Sequence, residues 1–264
     1  MDNADNSLIV EKRGAVGWIT FNNPAKHNAM SLDMWAGLVP ALSAFEADDE
    51  VRAVVLTGAG EKAFVSGANI SQFDKLRSSA DAVAEYERVA EGAQNALYNY
   101  AKPTVARIKG YCIGGGLNLA LCCDVRIACD NSSFAIPAGK MGLGYRMTAI
   151  RNLVTVVGPA NALDIFLSAR RLGSDEALRM GLVQHLANEE SFEETVTQYL
   201  ERLAANAPLT LSVGKKMIRQ FQEVPAHIDM EEMRNLVMTC FASEDYQEGK
   251  QAFAEKRAPV FKGR

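Results

Sequence analysis

The stretch that decides the fold is GYCIGGGLN, at residues Gly110–Asn118. It follows the β-rich run Thr104–Lys109 and opens an apolar segment that ends at Cys123, so it predicts a strand, a tight turn and a helix. Three successive glycines let the backbone approach a ligand closely, and a helix N-terminus offers unpaired amide N–H groups with partial positive charge. The turn therefore predicts an anion or oxyanion site, while a tight turn without any ligand explains the glycines equally well.

The glycines do not match the common nucleotide-binding motifs. No Gly-Lys-Ser/Thr follows the triple glycine Gly114–Gly116, so the turn is not a Walker loop. The segment Gly139–Gly144 has its glycines in the wrong order for the dinucleotide fingerprint GxGxxG. A second loop of small residues, Ala63–Asn69, comes soon after an earlier β-rich run and is the other candidate for a site built from backbone groups.

Short apolar strands alternate with helical stretches around the triple glycine, and this alternation predicts an α/β fold. The predicted strands are Leu8–Val10, Val16–Phe21, Val51–Thr57, Thr104–Lys109 and Val125–Ala128. The predicted helices between them run from the cap residue Ser31 to Ala47 and from Asp81 to Tyr100.

From about Met147 the pattern becomes mainly helical. Ser191–Glu194 has the sequence of a capping box and begins a stretch with apolar residues at helical spacing. The later predicted helices are Pro208–Glu223, Ile228–Ala242 and one that starts near Ser243. We therefore divide the chain into an α/β body, residues 1–195, and a helical tail, residues 196–264.

Composition argues against several classes of protein. The 264 residues are 48% hydrophobic and 23% charged with a net charge of −4, which is typical of globular proteins and argues against nucleic-acid or anionic membrane partners. No apolar run approaches the roughly 18 residues of a membrane span, and the polar start of the chain lacks the features of a secretory signal. Five cysteines without a CxxC motif and three separated histidines argue against a disulfide framework and a zinc site. We expect a cytoplasmic protein without a metal.

Several motifs occur in a fixed order from about Leu8 to Lys262. They are Asn22–Ala29, Ala63–Asn69, Lys102–Thr104, Gly110–Gly116, Cys123–Asp124, Ala177–Val183 and Glu248–Arg257. In this order and spacing the chain resembles the enoyl-CoA hydratase/isomerase (crotonase) superfamily. The resemblance implies a crotonase (ClpP-like) fold, which is a spiral of ββα units followed by a helical C-terminal trimerisation region.

The resemblance also implies a substrate and partners. Family members bind acyl-CoA thioesters, so coenzyme A enters as part of the substrate and no separate cofactor is expected. Members assemble as trimers or as dimers of trimers, with the tail at the subunit contacts. We expect the same self-association here, without nucleic acid and without a membrane.

Carried over position by position, the resemblance assigns two backbone amides to the thioester oxygen. They are the N–H groups of Ala68 and Gly115, which would form an oxyanion hole for the negative charge of an enolate. Lys26 could offer its charge to a CoA phosphate, although a solvated surface lysine is the commoner situation. The other residues that the resemblance implies in holding the acyl-CoA are Ser66, Asn69, Ile70, Ile113, Pro137 and Ala138.

Two positions depart from the hydratases of the family, which use a pair of glutamates as general acid and base. These positions are Asn118 and Ala138 here, and neither side chain can exchange a proton at neutral pH. The departures argue against hydration by the usual pair. Asn118 is still a candidate to bind a carboxylate or a water molecule, or to cap the turn.

Decarboxylation of a malonyl-type thioester needs fewer catalytic side chains, because loss of CO₂ forms the same enolate without a base. Tyr145 is the candidate proton donor, and Gly142–Leu153 resembles the corresponding segment of the methylmalonyl-CoA decarboxylases in the superfamily. Those enzymes have an acid where Asn118 stands and a histidine where Ala68 stands, so the match is partial. A half-buried tyrosine with its hydroxyl bonded to the backbone is the structural alternative for Tyr145.

The sequence thus leaves three functions open. They are a lyase that hydrates an enoyl-CoA, a lyase that decarboxylates a malonyl-type CoA thioester, and a non-catalytic acyl-CoA binder. Arg146 and Lys140 are further candidates to hold a substrate carboxylate, and a surface role is favoured for Lys140.

Overall fold

A computed structural model of the chain describes residues 7–68, 80–220 and 241–260, together with residues 231, 234, 235 and 238. The strands are β1 (Leu8–Arg13), β2 (Val16–Phe21), β3 (Ala53–Gly58), β4 (Ala63–Val65), β5 (Thr104–Ile108), β6 (Tyr111–Ile113), β7 (Val125–Cys129), β8 (Ser133–Ala135), β9 (Leu172–Gly173) and β10 (His185–Ala187). The helices are α1 (Leu32–Ala47), α2 (Ala80–Tyr98), α3 (Gly115–Cys122), α4 (Met147–Ser168), α5 (Ser174–Arg179), α6 (Phe192–Ala204), α7 (Pro208–Gln220) and α8 (Glu244–Ala254), with 3₁₀ turns at Pro24–Lys26 and Pro137–Met141.

The main sheet has six strands in the order β1-β2-β3-β5-β7-β10. β1 and β2 form the antiparallel hairpin that the sequence predicts, with Arg13 opposite Val16 next to the turn. The other pairings in this sheet are parallel. β3, with the sequence AVVLTG, is buried at all of its residues, as expected for a strand that is covered on both faces.

A second sheet contains four short strands in the order β4-β6-β8-β9. β4, β6 and β8 are parallel, and β9 pairs antiparallel with β8. Consecutive strands alternate between the two sheets, because β3, β5 and β7 lie in the first while β4, β6 and β8 lie in the second. Helices α2, α3 and α4 follow the three pairs in turn. This repetition is the spiral of ββα units that the resemblance implies.

Apolar clusters cover both faces of the main sheet. The larger cluster packs helices α1 to α4 against one side, with Phe21, Leu56 and Ile108 among its fully buried members. The smaller cluster consists of Val16, Val55, Val105, Ile127, Cys129, Ala187, Phe192, Val196 and Leu200. Its last three residues belong to α6, so the predicted domain boundary at residue 195 falls inside a helix that packs on the sheet of the α/β body.

Two helices begin at their predicted residues, but only one of them has the predicted serine cap. The hydroxyl of Ser191 donates to Asn188 Oδ1 at 2.7 Å and makes no bond to the first turn of α6, so the predicted capping box does not form. Ser191 already has helical backbone angles, whereas a capping serine needs an extended conformation to reach the next turn. Ser243 has that extended conformation, and its hydroxyl accepts from the Tyr246 amide at 3.0 Å. The predicted helix Ile228–Ala242 lies mostly outside the described residues.

One of the described helices, α4, is long and apolar enough to cross a membrane by length and composition alone. This is weak evidence, because core helices of globular proteins pass the same test. The helical geometry is interrupted at Gly158, whose φ of 75° and ψ of 164° are not helical, and Pro159 follows. The absence of a membrane partner and the cytoplasmic location stay predictions.

Candidate active site

Two turns, each following a strand of the second sheet, pack directly against each other. The first is Ser66–Ala68 after β4, and the second is the triple glycine after β6. A methyl group on Gly116 would lie 2.1 Å from the carbonyl oxygen of Val65, so only glycine permits this approach. Gly114 has a φ of 55° and a ψ of −117°, a backbone conformation that residues with a Cβ atom rarely adopt. The packing of the two turns therefore explains why glycines stand here.

Each turn has a backbone amide to which no acceptor is assigned among the described residues. In the described part of the chain, neither the N–H of Ala68 nor that of Gly115 donates a hydrogen bond to a carbonyl oxygen. By contrast, the N–H of Gly114 donates to the carbonyl of Ala135 at 2.8 Å. Gly115 is the first residue of α3, and the first amides of a helix have no acceptor within it. These two amides can therefore bind a ligand.

Ala68 and Gly115 both line a cavity of about 800 Å³, which we call the main cavity. Its other walls come from α2, the 3₁₀ turn Pro137–Met141, the start of α4 and α8. A partly enclosed cavity of this size is typical of a small-molecule site. The predicted acyl-CoA residues that line it are Lys26, Ser66, Ile113, Pro137 and Ala138. Asn69 and Ile70 lie outside the described residues.

The segment that contains Lys26 is held against the Ser66–Ala68 turn. The Ser66 hydroxyl donates to the Lys26 carbonyl at 3.3 Å, and the Ser66 N–H donates to the His27 carbonyl at 3.1 Å. The buried Asn28 side chain donates to two carbonyls at the β3–β4 connection, at 2.9 and 2.7 Å. Lys26 is thereby kept at the exposed rim of the main cavity.

Asn118 and Ala138 both line the main cavity and are almost fully buried. The Asn118 side-chain amide donates to Gln94 Oε1 of α2 at 2.8 Å. Its oxygen, Oδ1, is buried and has no hydrogen-bond partner in the described structure. Neither residue can exchange a proton, but Asn118 keeps an unused hydrogen-bond acceptor in a buried position.

Tyr145 lies between the triple glycine and the interior. Its hydroxyl donates to the Gly114 carbonyl over a long 3.3 Å, and its ring packs edge-on against Phe166 with centroids 5.7 Å apart. Burial raises the pKa of the Tyr145 hydroxyl above the ordinary value of 10.0, so the group is protonated at neutral pH. The hydroxyl of Tyr145 is bonded to the backbone, as expected for a structural tyrosine. Tyr145 also lines the main cavity, as expected for a proton donor.

Cations outnumber anions among the described residues that line the main cavity. Glu87 is the only carboxylate among its described lining residues, and its Oε2 lies 3.1 Å from Nε of Arg146. The lining cations are Lys26, Lys140, Arg146, Arg171 and Arg257. Arg257 is already paired with Glu248 at 2.6 Å. The remaining positive charge favours an anionic ligand.

Helix α2 supplies cavity residues that the sequence analysis missed. Tyr86, Glu87, Ala90 and Gln94 all line the main cavity, and the Tyr86 hydroxyl accepts from Trp35 Nε1 at 3.1 Å. Their spacing places them on one face of a helix. A glutamine inside the apolar stripe of an amphipathic helix is the sequence signal that would have identified Gln94.

A second cavity, of about 560 Å³, is lined by α6, α7 and the start of β7. On its wall Asp124 accepts hydrogen bonds from the amide and the hydroxyl of Thr104 at 2.8 and 2.9 Å. The same carboxylate pairs with Lys215 at 2.7 Å and with Arg219 at 3.0 Å. We call these four residues the Asp124 cluster. Burial lowers the pKa of Lys215, and the nearby Asp124 opposes that shift.

The chain folds as a spiral of ββα units. The main cavity lies at the turn between a strand of the second sheet and the helix that follows it. Together these two features define an enzyme of the crotonase class. Residues 11–264 match the profile of the family described as enoyl-CoA hydratase/isomerase. The chain therefore belongs to the enoyl-CoA hydratase/isomerase family, and the predicted family and fold are confirmed.

Individual relatives cover nearly the whole chain. A short-chain-enoyl-CoA hydratase of Clostridium acetobutylicum is 31% identical over 252 residues, which are 96% of this chain and 96% of the relative. A carnitinyl-CoA dehydratase of Salmonella typhi is 32% identical over 265 residues, covering 98% and 99% of the two chains. Among solved structures, a methylmalonyl-CoA decarboxylase in complex with 2-nitronate-propionyl-CoA has a TM-score of 0.89 at 27% identity, covering 98% of this chain and 99% of that chain.

Proposed function

We propose that the protein is an acyl-CoA thioester lyase that stabilises a thioester enolate with the N–H groups of Ala68 and Gly115. The observation that carries this proposal is that Ala68 and Gly115, from separate turns, line one cavity and that neither amide has an acceptor within the described part of the chain. A thioester oxygen that gains negative charge would accept both hydrogen bonds, and each such donor typically contributes about 10²–10³ in rate. The names of the relatives reported above, which all refer to CoA thioesters, support the substrate class.

The charged rim of the main cavity supports binding of the CoA phosphates. Lys26, Lys140 and Arg171 are exposed and line the cavity. Compact cations at an exposed rim attract phosphate groups from solution, while the acyl chain enters the less polar interior. No separate cofactor is proposed, because coenzyme A is part of the substrate.

Of the possible lyase reactions, decarboxylation of a malonyl-type CoA thioester agrees best with the side chains that line the main cavity. The bond from the α-carbon to the carboxylate breaks, its electron pair delocalises onto the thioester oxygen, and CO₂ leaves. The Tyr145 hydroxyl then protonates the α-carbon, and the resulting tyrosinate takes a proton from water. No base is needed to form the enolate, which fits a site with Asn118 and Ala138 at the positions of the usual glutamates.

Hydration of an enoyl-CoA is the second candidate, because two of the relatives are named as a hydratase and a dehydratase. Hydration needs a group that takes a proton from water and one that gives a proton to carbon. Glu87 is the only carboxylate among the described lining residues, and its Oε2 lies 3.1 Å from Nε of Arg146. A hydratase mechanism here would therefore have to use Glu87.

Turnover assays with two substrates test the proposal. Purified protein is incubated with methylmalonyl-CoA while CO₂ release is followed, and with crotonyl-CoA while loss of the conjugated double bond is followed. We expect CO₂ release and little hydration. Hydration alone would replace decarboxylation with the second candidate, and saturable binding of both esters without turnover would leave a non-catalytic acyl-CoA binder.

A pair of variants tests the role of the backbone amide. Gly115→Pro removes the N–H at the first position of α3, where proline is tolerated in helices, and should lower kcat/KM by about 10²–10³. Gly115→Ala keeps the N–H, and the nearest side-chain atom to the added methyl group is 4.0 Å away, on Trp35. Equal activity of the two variants, with both folded by circular dichroism, would show that this amide does not stabilise the transition state.

We also propose self-association as a trimer or a dimer of trimers through the tail. Leu209, Val213 and Met217 are exposed and lie at i, i+4 and i+8 on α7. An apolar stripe of this kind on a helix surface favours burial against another surface. Light scattering after size-exclusion chromatography tests the proposal, and a monomer at micromolar concentration would contradict it.

A further inference from the structure

Arg146 is a charged group on the wall of the main cavity that keeps a buried donor atom without a partner in the described structure. Its guanidinium makes one ion-pair contact, from Nε to Glu87 Oε2 at 3.1 Å. Its Nη1 is buried and has no hydrogen-bond partner within the described structure. A guanidinium carries five N–H donors, so most of the donor capacity of Arg146 is unused.

Unused donors on a partly desolvated cation point to a missing acceptor. A buried polar group without a partner costs free energy that a native fold avoids unless a ligand completes the bonding. Among biological acceptors, a carboxylate fits a guanidinium best, because two oxygens can accept two parallel N–H bonds. The side chain of Arg146 is about four-fifths buried, which limits competition from water.

The position of Arg146 suits the acyl end of a CoA thioester. It directly follows Tyr145, whose hydroxyl touches the carbonyl of Gly114 next to the proposed oxyanion amide. It is also the residue before α4, so the first amides of that helix add positive potential beside the guanidinium. Both Tyr145 and Arg146 line the main cavity.

We propose that Arg146 forms a carboxylate subsite, and that the protein selects CoA thioesters of short dicarboxylic acids over those of monocarboxylic acids. The role of this subsite in a reaction rests on the proposed lyase function. The preference for dicarboxylic thioesters is a property of binding and can be measured without turnover. The acyl carboxylate accepts hydrogen bonds from the unused N–H groups of Arg146, while the thioester oxygen binds at the amides of Ala68 and Gly115.

Glu87 has a specific part in this subsite. A bare guanidinium would hold the substrate carboxylate so strongly that its loss as CO₂ would become harder, because ground-state binding would exceed transition-state binding. Glu87 offsets part of the positive charge of Arg146. Arg146 can then orient the carboxylate through hydrogen bonds without a full ion-pair attraction. Glu87 is thus a positioning residue that acts through Arg146.

A binding experiment tests the subsite without any turnover. Isothermal titration calorimetry compares succinyl-CoA with butyryl-CoA, which have acyl chains of equal length and differ in the terminal carboxylate. We expect the wild-type protein to prefer succinyl-CoA by about 10- to 100-fold, as for hydrogen bonds to a charged group. Arg146→Gln should abolish the preference by weakening succinyl-CoA alone, and Arg146→Lys should retain part of it.

A matched control removes a positive charge from the same region without touching the main cavity. Arg88 lies next to Glu87 on α2, is exposed, pairs with Glu85 and does not line the cavity. Arg88→Gln should leave the succinyl-CoA preference unchanged. Equal preference in the wild type and in a folded Arg146→Gln protein, or equal losses in Arg146→Gln and Arg88→Gln, would overturn the subsite.

Kinetics with methylmalonyl-CoA tests the role of Glu87. Glu87→Gln leaves the guanidinium uncompensated, so we expect a lower KM together with a lower kcat, while Arg146→Gln should raise KM by about 10-fold or more. An unchanged KM and kcat in Glu87→Gln would remove Glu87 from the subsite. If decarboxylation is absent but the calorimetric preference and its loss in Arg146→Gln are observed, the subsite stands and the proposed reaction fails. If decarboxylation occurs without the preference, the reaction stands and the subsite fails.

Discussion

The Asp124 cluster and the wall of the main cavity contain similar groups, but they use their hydrogen-bonding atoms very differently. In the Asp124 cluster the carboxylate receives two hydrogen bonds from Thr104 and pairs with two cations. In the main cavity Arg146 contacts Glu87, and among the described residues neither Nη1 of Arg146 nor Oδ1 of Asn118 has a hydrogen-bond partner. Both cavities are bordered by charged residues, so charge alone does not distinguish them.

The difference indicates which network serves stability and which serves a ligand. A network whose members satisfy one another holds distant segments together, as the Asp124 cluster does for β5, β7 and α7. A network with unused buried atoms lowers stability until another molecule completes it. The same contrast occurs in the backbone, where the N–H of Gly114 donates to Ala135 and the N–H of Gly115 has no acceptor in the part of the chain that the structure describes.

Asp124→Ala should show the largest effect on stability. It leaves two partly buried cations without their carboxylate and removes two hydrogen bonds, so we expect a loss of about 3 kcal/mol or more in the free energy of unfolding. Arg146→Gln should change that free energy by only about 1 kcal/mol, because few bonds are lost. Urea unfolding measures both, and a larger loss for Arg146→Gln would reverse the assignment of the two networks.

Tyr145→Phe should cause a large loss of activity at a small cost in stability. The variant keeps the ring packed against Phe166 and removes only the hydroxyl, so kcat for methylmalonyl-CoA should fall by about 10²–10³. The melting temperature should change little, since one long hydrogen bond is lost. Unchanged kcat in the folded variant would exclude Tyr145 as the proton donor.

The pH dependence of the reaction should reflect the buried state of Tyr145. Because burial raises its pKa above 10.0, the protonated donor form persists to higher pH than that of an exposed tyrosine. We therefore expect kcat to show no decrease between about pH 8 and pH 10, after correction for spontaneous thioester hydrolysis. A decrease with a midpoint near pH 10 in the wild type, absent in Tyr145→Phe, would mean that the hydroxyl has an ordinary pKa during turnover.

Restoring the usual acids should have the smallest effect. Asn118→Glu with Ala138→Glu places two carboxylates on the wall of the main cavity, and we expect a slow hydration of crotonyl-CoA that the wild type lacks. Ala138→Gln with Asn118→Glu is the control that supplies bulk with a single acid. Equal hydration rates in both double variants would show that the missing pair does not limit this reaction.

The sequence predicted long elements better than short ones. Strands β2, β3, β5 and β7, and the helices capped by Ser31 and Ser243, agree with prediction within one or two residues, while β1 extends three residues beyond its predicted end. β4, β6 and β8 have three residues each, which is too short for a hydrophobic period to show. The capping box predicted at Ser191 does not form, because the Ser191 hydroxyl donates to Asn188 Oδ1 instead of bonding to the first turn of the helix.

The backbone turns of the candidate site could be identified from the sequence, whereas the side chains that distant segments bring to the main cavity could not. The triple glycine and the Ser66–Ala68 turn could be identified locally, whereas the partnership of Asn118 with Gln94 joins helices 24 residues apart in sequence. The pairing of Glu87 with Arg146 is equally non-local. No pattern along the chain specifies which face of α2 meets which face of α3.

By itself the sequence determined the order of the longer strands and helices, the glycine turn before α3, and the absence of glutamates at positions 118 and 138. These features follow from local backbone preferences and from residue identity, which act over a few positions. Only the tertiary structure decided that the amides of Ala68 and Gly115 share a cavity and that Arg146 has unused donors. Whether a polar atom has a partner depends on every neighbour that folding brings around it, and those neighbours come from segments far apart in the chain.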